Sequence, residues 1–441
     1  MGCRVALGDV CSFHRGASVP RARMYNEGDY LYIHYGDLYR GFSLRIDVED
    51  PAKHIPYILR DEQIKDNQRL KDQDIVYVLT SETVDDLGHA FLFNNPIDKP
   101  AVSGTETTIV RVERRDLVVP AYLNYLMGSP RFVAELRQYT RGMKVFRVHP
   151  GDVARIEVDL PPIETQHQVV AVLDAIYAKQ QVNTKLNGYL AEQCEGIVEH
   201  QTGDVVALAS LCGLASERVD CREADIATYV STESLLPAKM GKQTASTLPQ
   251  AGKVAVYKAG DTLVSNIRPY FKKIWYADRS GTCSGDVLVF RANQPEHAGY
   301  LYSCLRQDRF FDYVMKGAKG TKMPRGDKKQ MLTYEIVNSP SAAAIGAIQT
   351  ALEQISIANK ENDSLAALRD ALLPKLMSGE IDVSKVDLTQ LNSHLSKCSS
   401  GSCCILPVMV IISRREHRPF HASRSGAHAV SVSPVSRMRI A

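Results

Sequence analysis

Four blocks of sequence occur twice in this chain, in the same order, which restricts it to folds made of two similar units. VALGDVC at 5–11 returns as VALASLC at 206–212. LKDQDIVYVLTS (70–81) answers to YKAGDTLVSNIR (257–268), each a polar turn ending in Asp and then a strand rich in β-branched residues. VPAYLNYLMGSPRF (119–132) answers to HAGYLYSCLRQDRF (297–310), a short helix, a turn and an Arg-Phe opening the next helix. RGMKVFRVHPGDVARIEVDLPP (141–162) answers to KGTKMPRGDKKQMLTYEIVNSP (319–340).

Each unit is followed by a long helix. LPPIETQHQVVAVLDAI (160–176) opens the first, with Pro161 and Pro162 at its entry and Thr202, Gly203 and Asp204 at its exit. NSPSAAAIGAIQTALEQI (338–355) opens the second with the same grammar. Val169, Leu173, Ile176, Gln180, Asn183, Asn187, Leu190, Cys194 and Ile197 alternate four and three residues apart, the heptad spacing of a coiled-coil seam. Ile348, Leu352, Ile355, Asn359 and Asn362 repeat it. Both seams are apolar at the start and amide-rich in the middle, and polar seam residues cost stability but can fix register.

A helix of some thirty-five residues is roughly 50 Å long, so two of them lying antiparallel would hold the units at opposite ends. The plainer alternative is that each helix packs only on its own unit. The expected fold class is α+β: unit 1–159, helix 160–202, unit 203–337, helix and closing segment 338–387, and an unrelated tail 388–441.

Composition sets limits. With 441 residues, 44% apolar and 23% charged, the chain is expected to be globular rather than disordered. No run reaches the twenty or so apolar residues of a spanning helix, and the start lacks the pattern of a signal peptide, so a cytoplasmic location and no membrane are expected. The ten cysteines form no Cys-x-x-Cys pair and read as reduced thiols rather than a disulfide framework or a zinc site.

The net charge of +3 says little, but its distribution says more. Lys316, Lys319, Lys322, Arg325, Lys328 and Lys329 cluster with Asp327 alone, and Arg131, Arg137, Arg141, Lys144 and Arg147 with Glu135 alone. Gly142, Gly317, Gly320 and Gly326 make these segments mobile or tightly turned loops, good equipment for phosphate contact. A charge run by itself is often only a solvated face; recurrence at the same place in both units favours nucleic acid. SNIRPYFKK (265–273) adds Asn266, Arg268, Tyr270 and Lys272, residue types that read base edges or stack, although an ordinary loop with a core Tyr270 fits as well. Its counterpart, Thr80 and Ser81 before Glu82, is less basic, so the two units should not read the same thing.

Catalytic motifs are missing. KMGKQT at 239–244 lacks the first glycine of a phosphate loop, and there is no Asn/Asp-Pro-Pro-aromatic tetrapeptide, Gly-x-Gly cofactor loop or Gly-x-Ser-x-Gly elbow. His34, His54, His89 and His149 stand isolated, with no metal-ligand spacing. The chain is expected to do no chemistry alone.

The tandem units, the Leu160, Pro161, Pro162 and Gln166 opening of the first helix, and above all LLPKLMSGEIDVS (372–384) resemble the specificity subunit of type I restriction-modification enzymes, over about residues 4 to 387. That resemblance implies two tandem target-recognition domains, each reading one half of a split site in double-stranded DNA. It also implies two helices that set the gap and dock two methylation subunits. Those partners would carry S-adenosylmethionine, and restriction subunits using ATP and Mg could join; no cofactor is expected on this chain. Two departures stand out: the second helix opens with Asn338, Ser339 and Pro340 without the acidic-Gln pair, and the segment after Leu388 matches nothing in the first half. That tail is expected to be disordered or poorly packed. The rival reading is a non-enzymatic scaffold, two protein-binding domains on a coiled-coil bridge.

Overall fold

The computed structural model describes residues 2–386 and 389, apart from 39–41, 43, 51–53, 61, 85–86 and 339; the expected tail, residue 389 apart, therefore lies outside the described residues. It is a mixed assembly of helices and strands in which the described strands before residue 161 pair among themselves, as do those between 205 and 337.

The duplication is visible strand by strand. In the first set, Cys11–Arg15, Thr107–Val112, Ile75–Val78 and His89–Asn94 lie side by side in that order, all antiparallel, with Arg45–Asp47 added in parallel at the edge. In the second, Cys212–Leu214, Val287–Ala292, Thr262–Ser265 and Ile274–Tyr276 take the same order. A three-stranded sheet accompanies each: Tyr57–Ile58, Tyr30–Ile33 and Ala101–Ser103 in one, Arg218–Asp220, Lys253–Tyr257 and Gly281–Cys283 in the other. Each set is closed by its own first and last strands, Cys3–Ala6 on Glu157–Leu160 and Val205–Ala207 on Glu335–Val337.

The Asp that ends each polar turn now has a physical role. The Asp74 carboxylate accepts from the Lys71 backbone N–H at 2.7 Å and from Arg111 at 2.7 Å; Asp261 accepts from Lys258 N–H at 2.7 Å and Arg291 at 2.6 Å. Both carboxylates are buried, so the paired guanidinium offsets their desolvation while the turn is fixed against the neighbouring strand.

The long helices run Ile163–Glu199, 37 residues and about 55 Å, and Ala342–Met377. They pack against each other antiparallel: Asn183 donates to the Asn362 side chain at 3.0 Å and Asn187 to Asn359 at 2.8 Å, so one number rises as the other falls. Val169, Leu173 and Ile176 near the start of the first helix share a core with Leu365, Leu368, Leu372 and Leu376 near the end of the second, and with the first set of sheets. Cys194 and Val198 share a core with Ile348, Ala351, Leu352 and the second set. Each helix therefore serves both units, against the alternative that each packs only on its own.

Between the cores lies a polar layer. Glu361 is buried there, 3.3 Å from the Lys179 ammonium and accepting from Asn183 at 2.7 Å. Of the expected seam residues, Val169, Leu173, Ile176, Asn183, Ile348 and Leu352 are buried, whereas Gln180, Ile355, Asn359 and Asn362 are only half-buried. The buried line of the second helix moves by one position to Ala358, Glu361, Leu365, Leu368 and Leu372. The two units approach this helix at its opposite ends, and the shift falls where its partner changes from one core to the other.

Gln166 shows what the Leu-Pro-Pro opening secures. Fully buried, it accepts from Val119 N–H at 2.9 Å and donates to the carbonyls of Leu117 at 2.8 Å and Pro161 at 2.9 Å, tying the helix start to the unit it leaves. The second helix starts differently: Ser341 caps Ala344 N–H at 3.2 Å and its own N–H donates to Gln201 at 3.1 Å. Changing Gln166 to Leu should cost about 2 to 3 kcal/mol in equilibrium unfolding, because it orphans buried backbone groups. A loss below about 0.5 kcal/mol would mean that water replaces the clamp.

Candidate nucleic-acid interface

The two basic loops are the same object. Arg141 and Arg147 exchange backbone hydrogen bonds at 2.9 and 2.8 Å, and Lys319 and Arg325 do so at 2.9 and 2.9 Å, each closing a seven-residue hairpin. The second residue of each is a glycine in the left-handed region, Gly142 at φ +113° and Gly320 at φ +100°. A side chain at Gly142 would put its Cβ 2.1 Å from the Val145 carbonyl oxygen, so that turn needs glycine for space as well as for φ. These are tight turns, which decides between the two readings the glycines left open.

Both hairpins dock on the same place. Arg147 pairs with Thr80 and Phe146 with Ser81 in antiparallel register, and Arg325 bridges Ile267 in the same way, with Arg268 N–H donating to the Pro324 carbonyl at 2.8 Å. Thus Thr80 and Ser81 join Arg141, Lys144 and Arg147, and the 266–272 segment joins Lys319, Lys322 and Arg325, in two equivalent surfaces.

Carboxylates distant in sequence take up part of this charge. Arg147 reaches Glu106 at 3.4 Å, Arg325 reaches Asp286 at 3.1 Å, Arg141 reaches Asp152 at 3.0 Å and Lys319 reaches Asp327 at 3.5 Å. The expectation of one acidic residue per cluster is corrected by this folding back of Glu106, Asp152 and Asp286. Asp327 caps the helix Lys328–Met331, accepting from Lys329 and Gln330 N–H groups, and these bonds hold its carboxyl below the usual range. Lys144 and Lys322, at the equivalent fourth position of each hairpin, are exposed and have no ion-pair partner among the described residues.

The 265–273 segment departs furthest from expectation. Asn266 is only 7% exposed, with its side-chain carbonyl unpartnered inside the protein, so it is not the solvent-facing base reader expected. Gly326 permits this burial: a Cβ there would lie 3.2 Å from the Asn266 carbonyl and 2.1 Å from Met331. Lys272 is tied to Asp308 at 3.0 Å. Asp308 also takes Lys239 at 3.0 Å, which in turn reaches Glu195 on the first long helix at 3.2 Å, beside the Glu195–Arg306 pair. Partial burial pushes the Asp308 carboxyl up, but the two ammonium groups outweigh it and hold the carboxyl below its ordinary value. That contribution is present above the unfolded carboxylate pKa and is lost as pH falls through the lowered folded one. Tyr270 is 47% exposed, which overturns the core reading for that ring.

If the hairpins hold phosphates, Lys322→Ala should weaken binding to cognate and random duplex alike and lower the slope of log affinity against log salt by about one. Arg325→Ala should act more through the hairpin's shape, because its guanidinium is spent on Asp286. Unchanged affinity in both variants would remove the hairpin from the interface.

Residues 4–190 match the family described as Type I restriction modification DNA specificity domain. No curated protein sequence matches the chain. Among solved structures, the chain is similar to the type I restriction-modification S subunit from M. genitalium at 13% identity, over 85% of this chain and 96% of that one, with a TM-score of 0.45. It is similar to the HsdS subunit from Thermoanaerobacter tengcongensis at 14% identity, over 86% and 97%, with a TM-score of 0.31. A third similarity, at 16% identity over 85% and 97% with a TM-score of 0.39, is to a chain from a structure concerned with complex assembly and conformational transition of the type I R-M system. Residues 4–190 are thus similar to the type I restriction modification DNA specificity domain.

Proposed function

We propose that this chain is the DNA sequence-recognition subunit of a type I restriction-modification complex, each unit reading one half of a bipartite site in double-stranded DNA. The observation that carries this reading is the repeated hairpin: the same Gly-x-Lys turn, docked in the same register on the same strand end, in two units built at opposite ends of one antiparallel helix pair. Two equivalent cationic turns on a fixed frame suit two stretches of phosphate backbone. Half-sites one helical turn apart lie about 34 Å from each other, within reach of helices about 55 Å long.

On this reading Lys144 and Lys322 contact phosphates, and the loops at Thr80 and Ser81 and at 266–272 approach base edges in the major groove. The helix pair sets the gap and docks two methylation subunits. Those subunits supply S-adenosylmethionine, and restriction subunits supply ATP-driven chemistry with Mg; this chain contributes recognition and position, in the cytoplasm. Among the described residues no helix is long and apolar enough to cross a membrane. The test is to co-express the chain with its methylation subunit and map N6-methyladenine across a genome. A split motif with two specified halves and a fixed gap is the expected outcome. A stable complex that binds duplex no better than a neutral protein would favour the scaffold instead.

A further inference from the structure

In the 265–273 segment the polar side chains are turned in and the aromatic ones out. Asn266 is buried, Lys272 is held by Asp308, and Lys273 donates to the Thr232 carbonyl. Tyr270 and Phe271 are 47% and 38% exposed, with ring centroids 4.7 Å apart and planes tilted by 53°. Large apolar groups set side by side on a surface ask for an explanation that scattered ones do not.

The backbone beneath them is tightly determined. Arg268 and Lys272, on either side of the turn Pro269–Phe271, both sit in the left-handed region at φ +50° and +51°. So do Ala238 and Lys239, at φ +53° and +62°, whose N–H groups donate to the carbonyls of Phe271 at 2.8 Å and Lys272 at 2.9 Å. Four non-glycine residues in that region persist only where the surroundings hold them, and such strain gathers where a structure must present something in one pose. The Glu195, Lys239, Asp308 and Lys272 chain of charges anchors the turn to the first long helix. Through Arg268 and Ile267 the turn is also hydrogen-bonded to the basic hairpin that carries Lys319 and Lys322.

We propose that Tyr270 and Phe271 read thymine in the half-site served by the second unit, by packing against its C5-methyl group in the major groove. This rests on the reading of the chain as a DNA-recognition subunit. Neighbouring cations place the rings beside phosphates, and the base-edge feature that an apolar face can distinguish in the major groove is that methyl group. In the first unit the positions equivalent to the two rings are Thr83 and Val84, so no ring stands there and the two halves are read by different chemistry.

The test selects sequences from a randomised duplex pool with the full-length chain bound to its methylation subunit, and repeats the selection with uracil replacing thymine throughout. Wild type should prefer thymine at one or two positions of one half-site. The double variant Tyr270→Ala/Phe271→Ala should lower that preference about tenfold and leave the other half unchanged, while Tyr270→Phe keeps it. In the uracil pool, wild type itself should lose the preference to the same degree, a result independent of whether any variant folds. A preference unchanged in the double variant overturns the proposal; so does one that survives the loss of the methyl group, which would mean stacking on a base. A wild-type complex that selects no two-part sequence defeats the recognition reading itself, a separate failure.

Discussion

Arg306→Ala is expected to cost about 3 kcal/mol of stability and to loosen the second unit from the helix pair. Arg306 is buried at the end of the helix Ala298–Arg306 and pairs with Glu195, itself only 17% exposed at the side chain. Removing the guanidinium leaves a carboxylate largely out of water with, among the described residues, only Lys239, at 3.2 Å, to compensate it. The pair as a whole is worth much less than that loss, because the desolvation of both ions offsets most of their attraction. A double variant with leucine at 195 and methionine at 306 should therefore recover most of the stability, leaving Lys239 its contact with Asp308. Denaturant unfolding of the two single variants and the double variant checks this. A single-variant loss below about 0.5 kcal/mol would show the site to be wet enough to need no counter-ion.

A second large effect is expected far from the unit that feels it. Leu372 is fully buried in the core of the first unit, although it stands near the end of the second long helix. Leu372→Ala should destabilise that unit by about 3 kcal/mol, the usual sum of lost transfer free energy and residual cavity. The core that holds Cys194, Ile348 and Leu352 lies across the polar layer and shares none of the affected contacts. Hydrogen exchange should accordingly rise in the strands at 75–78 and 107–112 and stay unchanged at 262–265 and 287–292. Equal loosening of both sets would mean that the polar layer couples the cores rather than separating them.

What the sequence made legible was what depends on short spacing. The repeated blocks, the caps and proline entries, and the heptad run from Val169 to Ile176 are local, and the structure places a helix or strand at each. The hairpins were legible as glycine-bearing basic loops because Gly142 and Gly320 are needed within a few residues of the cations. Their docking was not legible, since Arg147 meets Thr80 and Arg325 meets Ile267 across about sixty residues. The acidic partners were hidden for the same reason: Glu106 and Asp286 each lie about forty residues before the arginine they meet.

The reversal between Asn266 and Tyr270 has another cause. Residue type predicts an inward tyrosine and an outward asparagine, but left-handed backbone at Arg268 and Lys272 turns the chain over, and glycine at 326 opens room for the amide. In the second helix, LLPKLMSGE was legible as a motif and not as packing. Leu372, like the preceding Leu365 and Leu368, is buried one position before the seam counted from Ile348, whereas Leu376 falls on it.

That displaced leucine run bears on how the protein is made. The first unit leaves the ribosome with its strands complete by Leu160, yet Leu365, Leu368, Leu372 and Leu376 of its core are translated about two hundred residues later. At ordinary elongation rates the wait is roughly 10 to 40 s, long beside the folding time of a domain. During it the part of the core around Val169, Val172, Leu173 and Ile176 that the returning helix supplies is missing. The N-terminal half thus completes its core only after the whole second unit has been translated.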